Sequence, residues 1–168
     1  MKIYFHFNLD GFTNSYVIAN DDPDVMEAII IDPGKISNSL INQIEDGGYT
    51  LRNILITHNH SHHVKGLSTL QKIYQVDVYA ADAEISGTAT NVLHGEGDLI
   101  LSGLKVEYMS VPGHSADSLV FKIGNILFTG DTISAGLIGS TTSQYSEKLL
   151  RNNIQSKILS QTDNCVIM

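Results

Sequence analysis

Cysteine is nearly absent from this sequence of 168 residues, which contains only Cys165. A single cysteine excludes an internal disulfide and suits a reducing compartment. Basic residues are also scarce, since 10 Lys and Arg stand against 18 Asp and Glu and give a formal net charge of −8. Nucleic-acid binding needs a cationic face to meet the phosphates, so this charge argues against nucleic acid as a partner.

Long hydrophobic runs are absent as well. No stretch reaches membrane-spanning length, and the segment Lys2–Asn8 is too short and too polar for a signal peptide. We therefore expect a cytoplasmic protein without a membrane partner. The chain has 42% hydrophobic and 17% charged residues, as an ordinary globular protein does. Its length predicts a single domain over residues 1–168.

Histidine, by contrast, is concentrated in one place. Four of the seven histidines stand within six residues, in the segment Thr57–His63. The preceding Asn53–Ile56 is apolar and rich in β-branched residues, which predicts a buried strand. The apolar residues after the segment are spaced by three and four, which predicts a helix; they are Val64, Leu67, Leu70, Ile73 and Tyr74.

This placement predicts a metal site at a strand end. In extended backbone the side chains of His58 and His60 point the same way, and the turn into the helix brings His62 and His63 back over the same point. Converging imidazoles without carboxylates between them bind a borderline metal well. The alternative is an adventitious histidine-rich tract, which predicts polar, low-complexity surroundings. A buried strand and an amphipathic helix are observed instead.

The remaining chain alternates strand and helix patterns. Strands are predicted at 2–8, 15–20, 27–31, 53–57, 76–80, 118–123 and 126–129, with two more within 98–111 and a buried last strand at 165–168. Helices are predicted at 37–46 with Ser37 as N-cap, at 63–75, at 81–89 and at 147–160. We therefore predict an α/β (α+β) fold in which two mixed sheets pack face to face and helices cover the outer faces.

Two further turns place ligand-type side chains at strand ends. Pro112-Gly113 turns the chain before His114, and Gly130 turns it before Asp131. A lone histidine after a turn or a Gly-Asp pair is more often a plain surface turn. Beside the histidine segment, both become candidates for the same site.

These motifs together resemble the metallo-β-lactamase superfamily of metal-dependent hydrolases, and among its branches the glyoxalase II-like enzymes. The resemblance covers nearly the whole chain and rests on motifs in the family's order. They are Asp32-Pro33-Gly34, Thr57, His58-x-His60-x-x-His63, Gly95-Glu96-Gly97-Asp98, Pro112-Gly113-His114 and Gly130-Asp131. The family has an αββα sandwich with its metals at one edge of the two sheets, in agreement with the predicted layers.

The resemblance also implies roles for individual residues. It makes His58, His60 and His114 the ligands of a first metal, Asp131 a bridge between two metals, and His63 a ligand of the second. Asp32 matches a carboxylate that orients a ligand histidine, or is simply a turn former before Pro33. Zinc is the expected metal, as one or two ions, with iron and manganese as alternatives. His6 and His94 match no family position, and we expect both to be structural or surface residues.

Two departures from the family bear on the second metal. His62 stands where the family has an aspartate ligand, so that it could be a ligand, a general base or a space-filling side chain. The strand at Asp163–Met168 resembles one that the family follows with a Pro-Gly-His-Gly turn and a closing helix, so the last part of the fold is expected to be missing. A second copy of the chain is one candidate to cover the apolar surface left near that strand, as a homo-oligomer.

From these features we predict a metal-dependent hydrolase acting on a small molecule. A metal-bound hydroxide would attack an ester, thioester or lactone, with His62 and Asp131 as the catalytic side chains. The alternative is a metal-binding member of the same fold with weak or no turnover, because both departures affect the second metal.

Overall fold

The computed structural model describes residues 1–161 and 164–168. The strands are β1 Lys2–Asn8, β2 Thr13–Asn20, β3 Glu27–Ile31, β4 Thr50–Leu55, β5 Asp77–Ala80, β6 Glu84–Ile85, β7 Thr88–Ala89, β8 Asn91–Val92, β9 Glu96–Leu101, β10 Leu104–Ser110, β11 Leu119–Ile123, β12 Ile126–Phe128, β13 Ile133–Ser134, β14 Leu137–Ile138 and β15 Val166–Ile167. The helices are α1 Asn38–Glu45, α2 Ser61–Val64, α3 Leu67–Ile73 and α4 Gln144–Asn153, which continues as a π-helical turn, Ile154–Ile158. A 3-10 turn spans Gly130–Thr132.

Two mixed sheets form the centre of the molecule. The first has the order β1-β2-β3-β4-β5-β8, and the second has the order β15-β12-β11-β10-β9. In the first sheet β3, β4, β5 and β8 run parallel, while β1, β2 and β3 pair antiparallel. The second sheet is antiparallel except where β15 joins β12.

Three apolar layers hold the sheets and helices together. Between the two sheets, Ile18, Ile29 and Leu55 of the first pack against Phe121 and Phe128 of the second. The outer face of the first sheet packs against α1, α2 and α3 through residues such as Ile30, Ile54, Leu40 and Leu67. The outer face of the second packs against α4 through residues such as Val120 and Leu150. The predicted αββα sandwich is therefore confirmed.

Most predicted elements are confirmed to within a few residues. The strands at 2–8 and 27–31 have the predicted bounds, and Ser37 caps α1 by accepting a hydrogen bond from the Leu40 amide at 3.2 Å. The two strands around Ser102-Gly103 are β9 and β10. The strand predicted at 53–57 is β4, which begins and ends earlier.

The helix predicted at 81–89 is wrong. This stretch contains the hairpin of β6 and β7. Its turn residues, Ser86 and Gly87, have φ values of +51° and +79°. Two successive positive φ values are the mark of a type I′ hairpin turn, which matches the twist of the flanking strands. The Ser-Gly pair is therefore the decisive signal in this segment, and the small residues around it are not helical.

The predicted helix at 63–75 is in fact two short helices that start earlier. Helix α2 begins at Ser61, and the Gly66 amide leaves the helix to donate to the Pro33 carbonyl at 2.7 Å before α3 begins. The helix predicted at 147–160 likewise starts earlier, because Ser143 caps it through the Ser146 amide at 3.1 Å.

The last strand is present but is not buried as predicted. Among the described strands, β15 pairs with β12 and lies at the edge of the sheet, and Val166 and Ile167 are 49% and 44% exposed. Asp163, with which this strand was expected to begin, lies outside the described residues. Within residues 1–161 and 164–168, no helix is long and apolar enough to cross a membrane.

Candidate metal centre

The six candidate side chains reach one edge of the sandwich from four places in the chain. His58 and His60 follow β4, His62 and His63 lie in α2, His114 follows β10, and Asp131 lies in the 3-10 turn after β12. β4 lies between β3 and β5 in the parallel part of the first sheet. Ligands of open α/β sheets lie beyond the carboxyl ends of such strands.

Three imidazole nitrogens lie close together, with Nδ1 of His60 between the other two. This atom lies 2.9 Å from Nε2 of His58 and 3.1 Å from Nε2 of His114. A single proton on His60 Nδ1 cannot lie on the line of both contacts, whereas a cation would attract all three lone pairs. For a metal–nitrogen distance of about 2.1 Å, neighbouring ligands of a tetrahedral ion lie roughly 3.4 Å apart. The three nitrogens therefore fit a metal after small side-chain adjustments.

Asp131 supplies the carboxylate on the open side of these imidazoles. Its Oδ2 lies 3.6 Å from Nε2 of His114, 3.6 Å from Nε2 of His62 and 3.8 Å from Nε2 of His58. One ligand atom from each of four side chains lies within 4.8 Å of every other; the four are His58, His60, His62 and Asp131. Nitrogen and carboxylate donors in one small volume are the ligand types of zinc, iron and related ions.

A hydrogen-bond relay behind His58 turns its free nitrogen toward the centre. The Thr57 hydroxyl donates to Oδ2 of Asp32 at 2.6 Å, so its lone pair can accept from Nδ1–H of His58 at 3.0 Å. Burial lowers the pKa of His58 to about 4, which keeps this imidazole neutral. A proton fixed on Nδ1 leaves the Nε2 lone pair for a metal.

His63 is held between two carboxylates. Its Nδ1 donates to Oδ2 of Asp32 at 2.8 Å, and its Nε2 lies 3.1 Å from Oδ1 of Asp131. Burial opposes protonation, but Asp32 and Asp131 together raise the pKa of His63 to about 10. Burial would also raise the pKa of Asp131, yet His63 holds it well below its usual range. Asp32 thus orients a candidate ligand, as the resemblance implied, and its φ of +51° also places it in a tight turn.

Two supporting groups of the site were not identified from sequence, and the role of a third was not. The Ser140 carbonyl accepts from Nδ1 of His114 at 2.8 Å, which frees Nε2 for the centre. Oδ2 of Asp117 accepts from the Asn59 amide at 2.6 Å and braces the turn between His58 and His60. Thr57 was seen as a motif residue, but its role in the relay was not. No local sequence signal marks the Ser140 carbonyl or Asp117, since each acts across a long separation in the chain.

Gly130 lets the Asp131 turn approach the relay. It has a φ of +51°, and a Cβ on it would overlap the Thr57 hydroxyl and lie 2.9 Å from the Thr57 Cβ. A residue with a side chain could neither adopt this backbone cheaply nor fit beside Thr57. Gly130 therefore fixes the distance between Asp131 and the histidine segment.

A cavity of about 570 Å³ reaches the centre from the His63 side. Asp131 and His63 belong to its wall, and its apolar wall includes Phe7, Phe12, Tyr16 and Phe128. This volume is typical of small-molecule sites.

The two remaining histidines lie apart from this group. His6 is on β1, where burial lowers its pKa, and His94 is exposed. Neither belongs to the group of potential metal ligands among the described residues.

Comparison with known proteins identifies the family of the chain. The family model of the metallo-beta-lactamase superfamily matches residues 9–163. A hydroxyacylglutathione hydrolase of Ectopseudomonas mendocina is 34% identical over 150 residues, which cover 85% of this chain and 58% of that protein. The chain spans about half the length of such curated relatives, for example 47% of the hydroxyacylglutathione hydrolase of Dechloromonas aromatica.

Solved structures agree with the fold. The crystal structure of the BLEG-1 B3 metallo-beta-lactamase superposes with a TM-score of 0.85 at 25% identity, covering 99% of this chain and 90% of that one. The structure of TTHA1623 in a di-iron-bound form has a TM-score of 0.75 at 21% identity, covering 98% of this chain and 90% of that one. The chain belongs to the metallo-beta-lactamase superfamily.

Proposed function

We propose that this chain is a metal-dependent hydrolase of esters, thioesters or lactones. The observation that carries the proposal is the meeting of three imidazole nitrogens around His60 Nδ1, at 2.9 and 3.1 Å, with the Asp131 carboxylate beside them. His58, His60 and His114 would hold a first ion, with Asp131 at its open side. When bound, the ion would lower the pKa of a water molecule and stabilise negative charge on a substrate carbonyl oxygen.

The residues of the chain prepare the centre for this chemistry. Asp131 is 31% exposed, and its low pKa makes it a hydrogen-bond acceptor that orients a water molecule and not a strong base. Burial and the neighbouring His114 lower the pKa of His60, which keeps its nitrogen free near neutral pH. His63 would bind a second ion only after losing the proton that the two carboxylates hold on it.

Zinc is the metal that the donor set supports first, because five imidazoles and one carboxylate suit a borderline cation. Iron and manganese are kept in the test as the alternatives expected from the sequence; TTHA1623, which shares the fold, has been crystallised in a di-iron-bound form.

The proposed substrate is a small carbonyl compound with a good leaving group. The hydroxyacylglutathione hydrolases among the relatives suggest a thioester. The apolar wall of the cavity, with Phe7, Phe12 and Tyr16, offers contact for an acyl or leaving group next to Asp131. The chain spans about half the length of those relatives, so we do not assume that it binds the glutathione part of a substrate. A glutathione thioester is therefore one of several substrates in the test.

The test uses untagged protein, stripped of metal and reloaded with zinc, iron or manganese in turn. It is assayed on a hydroxyacyl-glutathione thioester, a simple acyl thioester, an activated ester and a lactone. We expect turnover that depends on added metal, disappears in a His58→Ala, His60→Ala double variant and survives in His94→Ala, which removes an exposed histidine. Equal turnover in the double variant would contradict the proposal.

A second candidate function is metal binding without turnover. It is favoured by His62, because the family has a carboxylate at this position where the chain has an imidazole. Under this alternative the protein binds metal through His58 and His60 but hydrolyses none of the four substrate types with any of the three ions.

A further inference from the structure

We propose that His62 is a metal ligand of this centre and that the loop at residues 9–12 holds it in place. The inference rests on the proposed metal centre, and it places an imidazole donor where the family has a carboxylate donor. The first support is geometric, since Nε2 of His62 lies 3.6 Å from Oδ2 of Asp131 and one ring nitrogen of His62 belongs to the four-donor group with His58 and His60. A histidine that only filled space would not need to place a ring nitrogen beside the other three donors.

The second support is the way the His62 side chain is packed. A Cβ on Gly11 would lie 2.5 Å from Cβ of His62 and 3.0 Å from its Cγ. Real Cβ atoms essentially never approach so closely, so the imidazole occupies the space that a side chain at position 11 would need. Gly11 also has a φ of +87°, a conformation that glycine adopts at little cost.

Two further contacts tie this loop and the first residue of β2 to helix α2. The Thr13 hydroxyl donates to the His62 carbonyl at 3.2 Å. The exposed side chains of Asp10 and Lys65 form an ion pair across the end of the helix. The backbone of His62, its imidazole ring and the end of α2 are therefore each restrained by residues about 50 positions earlier in the chain. A ligand held in advance loses less conformational entropy when it binds.

The consequence is a change in metal preference. In the four-donor group, three donors are imidazole nitrogens and Asp131 is the one carboxylate. Replacing a carboxylate by an imidazole removes a negative charge and a hard oxygen donor. We therefore infer a site that selects Zn²⁺ and Co²⁺ over Mn²⁺, which prefers oxygen ligands.

The experiment is a metal titration that does not depend on activity. Stripped wild-type protein and variants are titrated with Co²⁺, whose visible absorption reports its coordination, and with Mn²⁺. His62→Ala should weaken Co²⁺ binding at least about tenfold and change the absorption bands, since even supporting groups of metal sites contribute about that much. His62→Asp should shift the ratio of the two affinities toward Mn²⁺ by about tenfold or more.

A glycine pair separates positioning from backbone strain. Gly11→Ala should weaken Co²⁺ binding and alter the spectrum, because the new Cβ displaces His62. Gly87→Ala is the matched control, since Gly87 has a φ of +79° and, in the described part of the chain, no atom lies within 4 Å of the position of a Cβ. Gly87→Ala should lose only the stability that backbone strain costs, and it should leave Co²⁺ binding unchanged.

Retention of wild-type Co²⁺ affinity and spectrum in His62→Ala would overturn the inference. If metal binding is then still lost in the His58→Ala, His60→Ala double variant, the proposed function stands without His62. If the double variant also binds Co²⁺ normally, the proposed metal centre itself is wrong. The partly exposed position of His62 lets the alanine variant be tested even where Gly11→Ala fails to fold.

Discussion

Oδ2 of Asp32 lies 2.8 Å from Nδ1 of His63, and both side chains are only 3% exposed. The same carboxylate also accepts hydrogen bonds from the Thr57 amide at 2.7 Å and the Thr57 hydroxyl at 2.6 Å. Through Thr57 it touches His58, and through His63 it touches Asp131. One buried carboxylate therefore orients two candidate ligands that come from opposite sides of a turn.

Replacing Asp32 with asparagine should destabilise the fold and weaken metal binding together. Asparagine tolerates the φ of +51° at this position, so the loss reports the missing charge and not backbone strain. Breaking a buried pair with several hydrogen bonds should lower the free energy of unfolding by about 2–4 kcal/mol. Urea unfolding of the metal-free protein measures this, with Asp24→Asn on the exposed loop as control. A loss no larger than that of the control would contradict the relay.

The metal-free protein should become less stable as pH rises above neutrality. The pKa of His63 is about 10 in the fold, against 6.5 for the unperturbed side chain. A raised pKa gives stability that is fully present below pH 6.5 and is lost as pH rises toward 10. His58 has a lowered pKa, so its contribution is lost only as pH falls toward 4. The two effects therefore fall in separate pH ranges.

Urea unfolding at pH 6.5, 8 and 9.5 in the presence of a chelator checks this dependence. We expect a decline of the order of a few kcal/mol over that range in the wild type. In His63→Gln, which cannot carry the proton, the decline should be much smaller. An unfolding free energy independent of pH in the wild type would show that His63 is not charged between its two carboxylates.

Gly130→Ala should disturb the centre far more than an equivalent change elsewhere. The added Cβ meets the Thr57 side chain, so the Asp131 turn must move away from the relay. Gly124 has a similar φ of +63°, and no atom of the described residues lies within 4 Å of the position of a Cβ, so Gly124→Ala isolates the backbone cost of about 1 kcal/mol. Gly130→Ala should cost about 1–3 kcal/mol more in urea unfolding. Equal losses in the two variants would contradict the close packing of Gly130 on Thr57.

The layers of the fold could be predicted because strand and helix periodicities are local properties of the sequence. The segment at 81–89 was misread as helical because its small residues suit a helix, whereas the Ser86-Gly87 turn decides the structure. The predicted burial of the last strand failed for another reason. Val166 and Ile167 are apolar, but they are exposed because β15 lies at the edge of its sheet among the described strands, and no local pattern reveals that position.

The donor residues of the candidate site could be predicted from the sequence, but the groups that hold them in place could not. Four candidate donors could be predicted because they stand close together in the sequence: His58, His60, His62 and His63. The other two, His114 and Asp131, could be predicted because each follows a turn. The packing of Gly11 on His62 and the hydrogen bond from His114 to the Ser140 carbonyl join residues 51 and 26 positions apart. Such contacts arise only when the two sheets and their loops come together.

The most direct test of the central claim is the metal content of untagged protein after dialysis against zinc, measured with the His58→Ala, His60→Ala double variant and His94→Ala. From the imidazole nitrogens around His60 Nδ1 we expect at least one tightly bound zinc ion per chain in the wild type and in His94→Ala. The double variant should lose that ion. Unchanged zinc content in the double variant would contradict the assignment of this edge of the sandwich as a metal centre.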